Sequence, residues 1–249
     1  MEKVLEVKNL TKLYKNQRGV KDISFDIYKG DIYGFLGPNG AGKTTVMKTI
    51  VGLCRANQGE INIFGHNITD QFEAAIARVG CIIETADAYE YLSAQDNLKI
   101  AARFYESVGM PRIDEALDIV GLRPYMNEKV GTFSLGMKQR LGVAAAILSR
   151  PDLLILDEPT NGLDIEGMAD IRNMIVNLAR EQQVTFFVSS HLAHEMQLMC
   201  NRVGILNNGS LIKEGAIVDI LQQYPSLEQF FIEQAKNSRE GSIDEQFAG

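Results

Sequence analysis

Two groups of residues in this chain have the types and spacing that phosphate chemistry needs. The first is the run Gly37-Pro38-Asn39-Gly40-Ala41-Gly42-Lys43-Thr44-Thr45, which reads G-x-x-x-x-G-K-T. Its glycines let the backbone wrap closely around phosphate oxygens, with several N–H groups turned inward. Lys43 has the reach for the β- and γ-phosphates of a nucleotide, and the Thr44 hydroxyl suits Mg²⁺. The second group is Leu153-Leu154-Ile155-Leu156-Asp157-Glu158-Pro159, four apolar residues running into two acids. Asp157 is the expected partner of the same Mg²⁺. Glu158, next along, can polarise a water in line with the γ-phosphate. The plain alternatives are a glycine-rich turn and a strand ending in a charged turn. The presence of both groups in one chain argues against each.

These side chains need particular elements behind them. Asp31 to Leu36 is a short apolar strand feeding the first group, and Thr45 to Leu53 has a helix pattern. The loop therefore opens a helix, whose positive end favours an anion. Residues 153–156 suit a central parallel strand covered on both faces. That puts Asp157 and Glu158 at its carboxyl end, where open α/β sheets bind ligands. Alternation predicts edge strands at 3–8 and 19–28, with further strands at 60–65 and 79–83. From about 93 to 150 the pattern turns helical. One segment follows the N-cap run Ser93-Ala94-Gln95-Asp96, a second spans Ile113 to Val120, and a third spans Leu135 to Leu148. Strands resume at 184–190, 203–206 and 210–212. Leu227, Phe230 and Phe231 predict a short amphipathic helix packed on the core. Asn237 to Gly249, polar and small, predict a disordered tail.

Bulk properties narrow the class. A length of 249 residues suits one α/β domain with a small subdomain. A formal net charge of −7 argues against general nucleic-acid binding, which wants a basic face. Cys54, Cys81 and Cys200 are too scattered for a zinc pattern or a disulfide framework. They predict buried free thiols in a reducing compartment. The chain opens without a signal-peptide pattern, shows no lipidation motif, and has no stretch approaching 18 consecutive apolar residues. Any membrane role is expected to run through a partner.

Between the two groups lies Thr132-Phe133-Ser134-Leu135-Gly136-Met137-Lys138-Gln139-Arg140-Leu141. It resembles the signature sequence of ATP-binding cassette (ABC) ATPases, commonly L-S-G-G-Q followed by Gln-Arg and a helix. Ser134, Gly136, Gln139 and Arg140 match, while Leu135 replaces the first glycine and Met137 the usual glutamine. Ser134 can still cap a helix and offer a hydroxyl to phosphate, and Gly136 keeps the backbone open. The rest of the family pattern follows in order. Asn161-Gly162-Leu163-Asp164 resembles the D-loop, and Ser189-Ser190-His191 resembles the strand ending in the switch histidine. Tyr14 resembles the aromatic that stacks on adenine. Tyr28 and Tyr33 are rivals less well placed, and a partly buried surface aromatic is the plain reading of Tyr14. The resemblance covers residues 2–220.

The resemblance implies a P-loop NTPase fold of class α/β. It has a central, mostly parallel sheet, an antiparallel N-terminal β subdomain and a helical subdomain inserted at about 85–150. A C-terminal helical segment occupies 221–249. It implies an ATPase using ATP and Mg²⁺, with Glu158 as general base and His191 on the γ-phosphate. Two copies would pack head to tail as a homodimer, each ATP lying between the P-loop of one and the signature of the other. Ser134, Gly136 and Asp164 join the nucleotide-binding set, with Ser134 and Gly136 acting across the dimer. The helical subdomain would dock on a separate integral membrane permease at the cytoplasmic face of the membrane.

One position departs from the usual pattern. Glu84, in Ile82-Ile83-Glu84-Thr85, stands where such families usually carry a glutamine. A carboxylate is still a hard oxygen ligand for Mg²⁺, so Glu84 joins Thr44 and Asp157 as a candidate metal ligand. This substitution, the F-S-L-G-M-K-Q-R-L form and the segment from Ser189 to Leu206 resemble the subgroup that exports bacitracin and lantibiotics, often as self-protection. The alternative is a soluble ABC-type ATPase acting on the ribosome or on nucleic acid. One cassette, no heptad run and an acidic charge count against it.

Overall fold

Short apolar runs and helical repeats succeed one another along the chain, and the elements follow them. The computed structural model describes residues 2–85 and 87–247, with side chains through Asn237. The strands are β1 (Lys3–Leu13), β2 (Gly19–Tyr28), β3 (Ile32–Leu36), β4 (Gln58–Ile63), β5 (His66–Asn67), β6 (Val79–Ile82), β7 (Leu153–Leu156), β8 (Thr185–Ser190), β9 (Arg202–Asn207) and β10 (Ser210–Ala216). The helices are α1 (Lys43–Ile50), α2 (Phe72–Ile76), α3 (Ala94–Ala102), α4 (Met110–Ile119), α5 (Leu135–Ala146), α6 (Ile165–Gln182), α7 (Ala193–Met199), α8 (Ile217–Gln223) and α9 (Leu227–Phe247).

The central sheet has the order β10-β9-β3-β8-β7-β6. β3 runs parallel to β8 and β9, β7 runs parallel to β6 and β8, and β10 returns antiparallel to β9. β3, β7 and β8 are buried along their whole length, as strands covered on both faces must be. The N-terminal sheet is antiparallel, ordered β2-β1-β4-β5. An aromatic cluster joins the two sheets. Phe25 on β2, Tyr33 and Phe35 on β3, and Phe187 on β8 have ring centroids 5.3 to 6.5 Å apart. Tyr33 is thus a core residue. Tyr28 lies under the Arg202 guanidinium, 5.1 Å from its ring centre.

Helices α3, α4 and α5 form the helical subdomain. Ser93 caps α3, accepting from Asp96 N at 3.1 Å. Arg112, buried on α4, donates to the carbonyls of Leu148 (3.1 Å) and Ile147 at the end of α5. Those carbonyls have no partner within the helix, so the guanidinium fastens α4 to the C-terminus of α5.

Four features differ from the sequence expectation. β1 runs on to Leu13 rather than ending near residue 8. Helix α6, which no residue pattern singled out, buries Ile171, Met174, Ile175 and Leu178 at helical spacing. Cys81 is exposed rather than buried, because β6 is an edge strand of the central sheet, while Cys200 is buried. Residues 237–247 continue α9 instead of forming a disordered tail. Packed Leu227 and Phe230 start that helix, and Glu, Gln, Ala, Lys and Arg after them propagate it. Residues 248–249 of the expected tail lie outside the described residues.

Candidate functional site

The glycine-rich loop joins β3 to α1 because two of its glycines leave no room for side chains. A Cβ on Gly37 would stand 2.3 Å from the Leu206 carbonyl oxygen. Gly42, the N-cap of α1, has φ +107°, a conformation that L side chains rarely adopt. Lys43 follows as the first helical residue and is 5 % exposed. Its Nζ donates to Gly37 O (2.7 Å) and Pro38 O (3.2 Å) and meets Glu158 Oε1 at 3.0 Å. An ammonium has three donors, and these three acceptors match that number.

Asp157 and Glu158 stand at the carboxyl end of β7. The register pairing Leu156 with Val188 carries Asp157 level with Ser189 on β8. The Ser189 hydroxyl donates to Asp157 Oδ1 at 2.6 Å and accepts from Glu158 N at 2.9 Å. One buried hydroxyl therefore orients both acids. Glu158 has φ +49°, uncommon for a residue with a Cβ. Its Oε2 lies 2.7 Å from His191 Nδ1. An ionised carboxylate only accepts, so this contact requires the imidazole proton on Nδ1. In the sequence Ser189 is simply part of the strand that ends in His191. Only the parallel pairing of β7 with β8 brings it to the two acids.

Tyr14 lies at the end of β1, 41 % exposed. Its hydroxyl is 3.7 Å from Cys54 Sγ, and the thiol raises its pKa. A cavity of about 260 Å³ is lined by Tyr14, Gly40, Gly42, Lys43, Thr44 and Glu158, among others. Arg18 and Asn161 line it too. An aromatic ring, the backbone N–H groups of the loop, an ammonium and a carboxylate around one cavity suit a nucleoside polyphosphate. The donors available to Mg²⁺ are the Thr44 hydroxyl and the Asp157 carboxylate, both hard oxygens. Among the described residues no three His, Cys, Asp or Glu converge as a metal site of their own. This set fits a Mg²⁺ whose coordination is completed by phosphate oxygens and water.

Glu84 has an ion-pair partner of its own. It has φ +69°, and its Oε1 pairs with Lys48 Nζ on α1 at 2.6 Å, raising the lysine pKa. Like Asp157, it does not line the cavity around Lys43. The Lys48 ammonium, three residues past the loop, competes with any cation for this carboxylate.

Ser134, Gly136 and Asp164 lie elsewhere. Ser134 caps α5, accepting from Met137 N at 3.2 Å, and Asp164 caps α6, accepting from Gly167 N at 2.8 Å. With Leu135, Arg140 and Gly162 they line a second cavity of about 470 Å³. Leu135 packs on the D-loop, its Cδ2 lying 3.2 Å from where a Gly162 Cβ would be. The loop residues 40–45 and the signature residues thus line separate cavities of one chain.

Fold and site together define a P-loop nucleotide hydrolase. The family described as "ABC transporter" matches residues 20–161. The bacitracin transport ATP-binding protein BcrA of Bacillus licheniformis is 44% identical over 214 residues, covering 86% of this chain and 70% of that protein. The lantibiotic transport ATP-binding protein SrtF of Streptococcus pyogenes is 37% identical over 211 residues, covering 85% and 90%. A solved ATP-binding subunit of an ABC transporter superposes with TM-score 0.79 at 30% identity, covering 93% of this chain and 99% of that one. The chain belongs to the ABC transporter family as an ATP-binding subunit, and it is an ATPase.

Proposed function

We propose that this subunit hydrolyses ATP to energise export of a peptide antibiotic of the bacitracin or lantibiotic kind, through a separate membrane permease. Its likeness to BcrA and SrtF, whose names specify bacitracin and lantibiotic transport, supports the cargo. The observation that carries the chemistry is the Glu158 carboxylate, bonded to Lys43 on one side and to His191 on the other.

In this reading adenine stacks on Tyr14, and the phosphates enter the loop 37–45. Thr44 and Asp157 would hold a Mg²⁺, which would supply charge neutralisation to the triphosphate. Glu158 takes a proton from the attacking water, while His191 holds its carboxylate and contacts the γ-phosphate. Two copies pack head to tail, so that Ser134 and Gly136 of one complete the site of the other. The separation of the two cavities within one chain supports this arrangement. The helical subdomain docks on the permease from the cytoplasmic face. Exposed Tyr89, Tyr91, Phe104 and Tyr105 on and beside it support that docking. No helix among the described residues is long and apolar enough to cross a membrane.

The test is tolerance. A strain lacking this chain should lose resistance to bacitracin or to a lantibiotic, with recovery by the wild type and not by Glu158→Gln. Unchanged tolerance to both classes would contradict the cargo.

A further inference from the structure

The cavity that holds the P-loop residues has a second basic side chain, which no motif assigns. Arg18 lines it beside Tyr14, Gly19, Gly42 and Lys43. The turn between β1 and β2 fixes its place. Tyr14 N donates to Arg18 O at 2.8 Å, and Gln17, at φ +63°, donates back to Tyr14 O at 2.9 Å. Gly19, the next residue, lies against the N-cap of α1: a Cβ on Gly42 would stand 3.6 Å from Gly19 O. No side-chain hydrogen bond or ion pair engages the Arg18 guanidinium among the described residues, whereas Lys43 is fully engaged by Gly37, Pro38 and Glu158.

We propose that Arg18 is a nucleotide-binding residue, donating to the phosphates of ATP from the turn beside Tyr14. This rests on nucleotide lying between Tyr14 and the loop 37–45. A guanidinium keeps its charge at every working pH and presents several donors in a plane, so it suits phosphate oxygens. Its position one turn from the aromatic lets a single tight turn grip base and phosphate together.

Binding of ATP, ADP and adenosine to wild type, Arg18→Ala, Arg18→Lys and Tyr14→Ala tests it, at low and high salt. Arg18→Ala should weaken ATP and ADP roughly tenfold, the scale of one charge-assisted hydrogen bond. It should leave adenosine unchanged, and the loss should shrink at high salt. Arg18→Lys should recover most of it, and Tyr14→Ala should weaken all three ligands. Wild-type affinity for ATP and ADP in Arg18→Ala would overturn the proposal. So would an equal loss for adenosine, which would mean a disturbed turn. Loss of ATP binding in Arg18→Ala together with normal adenosine binding in Tyr14→Ala would instead sink the placement of adenine while keeping Arg18 on phosphate. A wild type that binds no nucleotide would sink both.

Discussion

The ammonium of Lys43 stands 3.0 Å from the carboxylate of Glu158. Both side chains are largely shielded from water, so this contact is stronger than a surface pair of the same length. A phosphate gripped by Lys43 has to take the place of one of its three acceptors, and Glu158 is the charged one. Glu158→Gln should therefore do two things. Phosphate release should fall by about a hundredfold or more, as expected for loss of a general base. ADP should bind more tightly, because a neutral amide competes less for the ammonium. Steady-state phosphate release and ADP titration measure the two. Normal turnover would remove Glu158 from the chemistry, and weaker ADP binding would contradict the competition.

His191 holds the other oxygen of that carboxylate at 2.7 Å. His191→Ala frees Glu158 to rotate without touching the loop 37–45. The turnover number should drop roughly tenfold to a hundredfold with little change in KM, the split expected when an interaction matters mainly in the transition state. A raised KM at constant turnover would instead make His191 a ground-state binding group.

Much of this was legible in the sequence, and the reasons differ by residue. Residues 37–45 carry their own chemistry in consecutive order, so the loop, its strand and its helix could be read directly. Asp157 and Glu158 follow an unbroken apolar run, which locates them at a strand end. Ser189 could not be read, because its role depends on the register between β7 and β8, strands some thirty residues apart. Glu84 was read as a metal ligand from its position alone, and the Lys48 ammonium that holds it comes from a different element. Arg18 belongs to no motif and gains meaning only from the turn that sets it beside Gly42. Helix α6 keeps helical spacing in its buried positions Ile171, Met174, Ile175 and Leu178, a pattern the sequence carries without any chemical motif to mark it.

The aromatic cluster gives a stability test. Phe187 is fully buried and packs on Phe25, Tyr33 and Phe35, so it joins the N-terminal sheet to the central one. Phe187→Ala should cost about 3–5 kcal/mol through lost burial and a cavity. Denaturant unfolding measures it, and a loss under about 1 kcal/mol would mean that the site collapses or that the two sheets do not depend on this contact.

Glu90, in the loop after Glu84, pairs with Lys138 on α5 at 2.5 Å, and the lysine lowers its pKa. The folded value thus lies below the unfolded one, near 4.3 for a glutamate. The stabilisation is present above the unfolded value and disappears as pH falls through the folded one. Lys138→Met should lower the melting temperature slightly at neutral pH, with a deficit that shrinks as the medium is acidified and that is small throughout because the pair is exposed. Melting curves across pH test it, and a deficit that persists at low pH would assign the loss to packing instead.

The proposed role of this ATPase is to drive a membrane transporter. Affinity-tagged Glu158→Gln, expressed in its native cell and purified from gently solubilised membranes with ATP present, tests it most directly. A polytopic membrane protein should co-purify in constant ratio with the tagged chain. Recovery of ribosomes, nucleic acid or soluble proteins alone would contradict the account and give the same ATP chemistry a different purpose.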